Sequence, residues 1–105
     1  MTKHYKLVRD KIPEIIQGNG DVCTHLALSN DVAFEKALSL KLREESEEFY
    51  DMPSLTELAD VQEVVWAILQ LRGVSKERFS EICEEKRNEY GGFEKRIFLV
   101  ASHQP

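Results

Sequence analysis

Lys41-Leu42-Arg43-Glu44-Glu45-Ser46-Glu47-Glu48, followed after a short break by Glu57-Leu58-Ala59-Asp60, organises everything else in this chain. On a helical wheel at ~100° per residue with Glu45 at zero, Leu38, Leu42, Phe49, Phe34 and Met52 all fall within roughly 60°. Glu48 lies about 60° to one side, with Lys41 between the two acids. Glu44 and Glu47 point toward the polar face. The pattern therefore predicts a helix with Glu45 in the middle of its apolar stripe and Glu48 at the edge.

The second block repeats the arrangement. With Glu57 at zero, Ile68, Val61, Val64 and Leu71 lie within about 40° and Asp60 about 60° away, while Glu63 turns outward. Two consecutive helices thus each place an acidic i, i+3 pair on the side that should be core. An unpaired buried carboxylate costs several kcal/mol, so such groups are paired, protonated or bound to a metal. Four acids facing one another repel, and a divalent cation resolves that repulsion. Oxygen-only donors select a hard ion, Mg2+ or Mn2+. Two plainer readings compete. Glu-rich runs are commonly solvated helix faces, and Ser54-x-x-Glu57 matches a capping box. The recurrence of the pair on two apolar stripes favours a site.

Outward from this centre, the boundaries follow from capping and breaking residues. Ser29-Asn30-Asp31 starts the first long helix, predicted over Asp31–Asp51, and Met52-Pro53-Ser54 ends it. The second is predicted from about Leu55 to Arg72, stopped by Gly73. Ser75 caps a third over Lys76–Tyr90, before Gly91-Gly92. Near the N-terminus, Asp10 is placed to cap a short helix with Pro13 in its first turn and Gly18-Asn19-Gly20 beyond its end. Two short strands complete the expected fold, at Val22–Leu28 and around Ile97–Val100, each rich in β-formers. The chain reads as mainly all-α, a helical bundle with short terminal strands in a single domain over residues 1–105.

From Val64 to Leu71 the second long helix is apolar almost all round, so more than one side needs cover. A chain of 105 residues has little material for that, which predicts a homodimer or homotetramer completing the bundle.

Composition limits the functional classes. A net charge of −5 argues against a general nucleic-acid binder, which carries a basic stripe. No apolar run approaches the ~20 residues of a membrane span. Met1-Thr2-Lys3-His4-Tyr5 lacks the apolar core of a signal peptide, so a cytoplasmic protein is expected. Cys23 and Cys83 show no metal-ligand spacing and read as reduced, partly buried thiols, and His4, His25 and His103 stand isolated. Candidate cationic partners for an anionic ligand are Lys41, beside the acids, then Lys6, Arg9, Lys11, Lys86, Arg87, Lys95 and Arg96. An intrahelical salt bridge to Glu44 or Glu45 is the rival role for Lys41.

Glu45-x-x-Glu48 with Glu57-x-x-Asp60 resembles the ExxE and ExxD signature of the all-α nucleoside triphosphate pyrophosphohydrolases, a superfamily that includes MazG-like proteins and phosphoribosyl-ATP pyrophosphohydrolase. Lys41-x-x-Glu44-Glu45-x-x-Glu48 is similar to their KxxEExxE, and Glu57-Leu58-Ala59-Asp60-Val61 to their ELADV block. The segments Lys6–Pro13 and Gly91–Leu99 resemble a small phosphoribosyl-ATP pyrophosphohydrolase-like subgroup. The interval from Glu48 to Glu57 is shorter than those relatives commonly show. The resemblance implies that Glu45, Glu48, Glu57 and Asp60 hold Mg2+ and serve catalysis, with one of them free to act as general base. It implies hydrolysis of a nucleotide between its α- and β-phosphates, to a monophosphate and pyrophosphate, as in nucleotide-pool house-cleaning. Lys41, Arg9, Lys11, Lys95 and Arg96 are then the expected substrate-binding cations. Two alternatives stand beside this: a metabolic enzyme acting on phosphoribosyl-ATP or a similar compound, and a non-catalytic helical module that binds a metal or a basic partner.

Overall fold

Helix-capping side chains set the architecture of the computed structural model, which describes residues 3–105. Four helices follow in order: α1 Ile12–Gly18, α2 Asp31–Asp51, α3 Leu55–Leu71 and α4 Lys76–Tyr90. The Asn30 side chain accepts a hydrogen bond from the Ala33 amide, Ser54 from Glu57 and Ser75 from Arg78. Each satisfies an amide that the first helical turn leaves without an internal partner. These are the starts expected from sequence. At α1 the cap differs: Lys11, not Asp10, occupies the N-cap, and no side chain bonds the first turn. Pro13 in that turn lacks an N–H, so one fewer donor needs satisfying there. Gly91 closes α4 at φ 87°, a left-handed conformation that a Cβ would disfavour.

By their contacts the residues group into two compact units, the first ending at Gly73 and the second spanning Val74–Pro105. Within the first unit α2 packs on α3. Leu38 of α2 and Val64 and Leu69 of α3 are the buried apolar side chains among the described residues. Glu45 is buried with them. Val61, Val65, Ala67, Ile68 and Leu71 are half-buried, so α3 is apolar round most of its surface, as its sequence indicates. The second unit holds α4, on which Phe79 and Ile82 are half-buried, and the segment that follows it.

The described residues are all-helical, and neither expected strand forms. Val22–Leu28 and Ile97–Val100 are both without regular structure, with Val22 and Val100 almost fully exposed. β-Propensity largely measures packing on a half-buried pleated surface. Neither segment has that surface, and a strand without a ladder partner leaves its amides to water. Cys23 is half-buried and Cys83 exposed, both as free thiols. Among the described residues, no helix is long and apolar enough to cross a membrane.

Candidate metal centre

The last turns of α2 and the first turns of α3 bring the two acidic pairs together, because Met52-Pro53-Ser54 lets the chain reverse within a few residues. Glu45 sits on the stripe that also carries Leu38, and its exposure is only 6 %. Glu57 and Asp60 are half-buried on α3, while Glu48 is exposed at the rim. Single carboxylate oxygens from Glu45, Glu57 and Asp60 lie within 4.8 Å of one another, and so do those from Glu44, Glu45 and Glu48. Glu45 belongs to both triads.

Glu44 and Glu47, expected to share the polar face, behave differently. Glu47 is exposed. Glu44 is half-buried and joins the cluster. Lys6 Nζ, on the N-terminal segment, is 3.0 Å from Glu44 Oε1. The wheel treats one helix in isolation and cannot register a cation arriving from another segment.

Two further cations enter the cluster. Lys41 Nζ lies 3.0 Å from Glu45 Oε1 and 3.6 Å from Glu44 Oε2, so it makes the intrahelical bridge that sequence offered as its alternative role. Arg9 Nη2 lies 2.8 Å from Asp60 Oδ1. Among the described residues no cation pairs with Glu48 or Glu57. Five acids therefore meet three cations, and charge remains uncompensated.

The side-chain environment reports that deficit twice. Glu45 Oε2 and Glu57 Oε2 are buried and have no hydrogen-bond partner. An orphaned buried carboxylate oxygen is among the most costly polar defects a fold can carry. The Ser54 hydroxyl caps α3 through the backbone amide of Glu57, 3.1 Å away. The cap thus coexists with a Glu57 carboxylate turned into the cluster. The carboxyl of Glu48 is held above its ordinary value, first by a hydrogen bond with Glu45, then by the charge of Glu45, by burial and by the charges of Glu57 and Glu44. Glu44 shifts the other way, lowered chiefly by its hydrogen bond from Lys6. Two buried oxygens thus lack partners beside a carboxyl held above its ordinary value by neighbouring negative charge. A hard divalent cation would satisfy both.

Lys11 is exposed at the start of α1 and forms no ion pair among the described residues. In the second unit, Lys86 stacks over the Tyr90 ring at 5.6 Å and Arg87 pairs with Glu94. Lys95 and Arg96 are exposed on the segment after α4, with Arg96 at φ 57°. Lys6 is the cation that the expected substrate-binding set left out. Nothing in the local pattern around it distinguishes it from Lys3 or Lys11.

No family model, no curated protein and no solved structure matches this chain.

Proposed function

We propose that this chain is a divalent-cation-dependent nucleotide pyrophosphohydrolase. One observation carries the reading: a 94 % buried position in a helix–helix packing is given to Glu45, whose Oε2 has no partner while two acidic triads converge on it. Stability alone would place an apolar side chain there. Glu45, Glu57 and Asp60 are the residues that would hold Mg2+ or Mn2+, with Glu48 and Glu44 closing the rim. Bound there, the cation would screen polyphosphate charge and acidify a water.

The chain's own groups fit the remainder of the task. Carboxylates on two packed helices form a rigid platform, which fixes the position of an α-phosphate relative to water. Glu48, exposed at the rim with its carboxyl held above the ordinary value by Glu45, is the acid whose carboxylate form takes a proton from that water. Attack at the α-phosphorus breaks its bond to the α–β bridging oxygen, and pyrophosphate leaves with the electron pair. Cleavage between the β- and γ-phosphates is disfavoured by sequence, since no GxxxxGK[ST] loop is present. The resemblance noted above supplies the nucleotide class; the acids supply the chemistry.

A nucleotide panel with Mg2+, Mn2+ or EDTA tests the proposal. The expected product pair is a monophosphate with intact pyrophosphate, and in 18O-labelled water the label enters the monophosphate. Glu45→Gln and Asp60→Asn abolish turnover; Glu47→Gln retains it. Orthophosphate as first product refutes the bond assignment. A profile confined to phosphoribosyl-ATP selects the metabolic alternative, and no turnover on any nucleotide selects the non-catalytic module.

A further inference from the structure

Lys6 and Arg9 lie on a segment outside the helices, yet each reaches an acid of the cluster. Their partners differ in kind from Lys41. Lys41 is anchored on the same helix as Glu45, and its side chain is only 16 % exposed. The side chains of Lys6 and Arg9 are 43 % and 54 % exposed, and the acids they pair with are 38 and 51 residues away. Exposed pairs of this kind are weak and screened by salt, so they exchange readily. They also leave the two buried oxygens, Glu45 Oε2 and Glu57 Oε2, without partners. The pairing covers the rim and leaves the floor unsatisfied. Between the segment and α2 lies a cavity of about 60 Å³, whose lining includes Tyr5, Lys6, Leu7, Leu40, Lys41 and Glu44. It gives the Lys6 side chain somewhere to go.

We propose that Lys6 and Arg9 form a displaceable cationic strap: they neutralise Glu44 and Asp60 while the site holds no divalent cation, yield those carboxylates when one binds, and turn to the non-bridging oxygens of the polyphosphate. The inference rests on the reading of the acids as a cation site, but not on turnover. Its logic is charge exchange. A cation entering the triad of Glu45, Glu57 and Asp60 competes with Arg9 for Asp60, and it repels both guanidinium and ammonium groups. Once released, the same two groups are unpaired positive charges beside an anion bound at that cation, and Arg offers it a bidentate fork. One pair of residues thus opposes cation binding and favours anion binding. A pair fixed on Glu44 and Asp60 would act on both ligands through charge alone; only a displaceable pair changes partner when the cation binds.

The test uses Mn2+ alone and then inorganic pyrophosphate, both followed by titration calorimetry on the full chain. In the Lys6→Gln/Arg9→Gln double variant, Mn2+ binds more tightly by about fivefold, the scale set by losing two weak competing pairs. Pyrophosphate added to the Mn2+-loaded variant binds more weakly by about fivefold or more. The charge-preserving Lys6→Arg/Arg9→Lys variant restores both affinities. Unchanged or weakened Mn2+ binding in the double variant overturns the strap, as does unchanged pyrophosphate binding. If the wild-type chain shows no Mn2+ binding and the double variant does, the strap stands; if neither binds, it falls together with the metal reading. A second measurement needs no variant: saturating Mg2+ should shift the Arg9 Nε–Hε resonance in the wild-type protein, and an unmoved resonance overturns the release step. Turnover with unaltered Mn2+ affinity in the variant would remove the strap and keep the enzyme. Absence of turnover with the opposed affinity changes would do the reverse.

Discussion

Glu45 occupies a place that packing alone would give to leucine, and its neighbours reveal the cost. Lys41 compensates one of its oxygens, the other is orphaned, and the Glu48 carboxyl is held above its ordinary value by its hydrogen bond with Glu45 and by the charge of Glu45. Packing stability and the proposed cation binding are therefore opposed at this residue. Glu45→Gln should leave the melting temperature in EDTA unchanged or higher, and should erase the rise that Mg2+ produces in the wild-type chain. The corresponding gain in unfolding free energy would be about 2.7 kcal/mol at a hundred times the Kd. A melt in which Glu45→Gln still responds fully to Mg2+ would remove the metal centre. The pH dependence carries a second signature. A carboxyl with a raised folded-state pKa binds its proton more tightly folded than unfolded. For Glu48 that stabilisation is fully present below the ordinary value of 4.5 and is lost as pH rises through the raised one. For Glu44, whose value is lowered, the stabilisation is present above 4.5 and is lost as pH falls through the lowered one. In metal-free protein, Glu48→Gln should hence raise the melting temperature at pH 7 and not at pH 4. Glu44→Gln should lower it at pH 7, with little effect once the native carboxyl is protonated. Melts across that range check both signs.

At the scale of elements, the turn between α2 and α3 does the most for the site. Met52 ends α2 with its amide bonded to Glu48 O, and Ser54 begins α3. Only three residues separate the helices, so Glu48 and Glu57 face each other across a tight connection. Loss of the cap should be felt on both sides of that connection. Ser54→Ala should cost about 1 kcal/mol, the usual worth of a capping hydroxyl. Because it loosens the first turn of α3, where Glu57 sits one turn before Asp60, it should also weaken Mn2+ binding. Asn30→Ala, at the far end of α2, should cost a similar amount of stability and leave Mn2+ binding unchanged. Chemical denaturation and calorimetry on the two variants test the contrast. Equal losses of Mn2+ affinity would show that the turn has no special role.

For the molecule as a whole, the number of buried apolar residues is small. Leu38, Val64 and Leu69 are the buried apolar side chains among the described residues, while Leu40, Leu55 and Leu58 on α2 and α3 remain exposed. A helical pair with so little interior gains from covering its outer faces with another copy. The expected outcome in light scattering is a mass at least twice the 12.1 kDa of one chain. Leu58→Glu, at a position 45 % exposed, should dissociate that assembly and keep the helical signal. Leu69→Glu, at a position 8 % exposed, should unfold the chain, since about 1.5–3 kcal/mol of burial is lost and a charge is buried. A wild-type mass of one chain at micromolar concentration would refute self-association.

Sequence alone determined what depends on neighbours within a few residues. Asn30, Ser54 and Ser75 announce their helices because a side-chain oxygen meets an amide two or three residues on, whatever the rest of the fold does. Glu45 and Glu57 were legible as inward acids because the helical period sets their direction relative to Leu38 and Val64. Tertiary structure decided the rest. Val22–Leu28 and Ile97–Val100 have strand-like composition, but a strand exists only where a partner supplies the other half of its hydrogen bonds. Glu44 meets Lys6 and Asp60 meets Arg9 across separations of 38 and 51 residues. No local period encodes such meetings. Charges act through space, and which cation arrives at which acid is settled only when the packing of α2 on α3 has fixed where the acids stand.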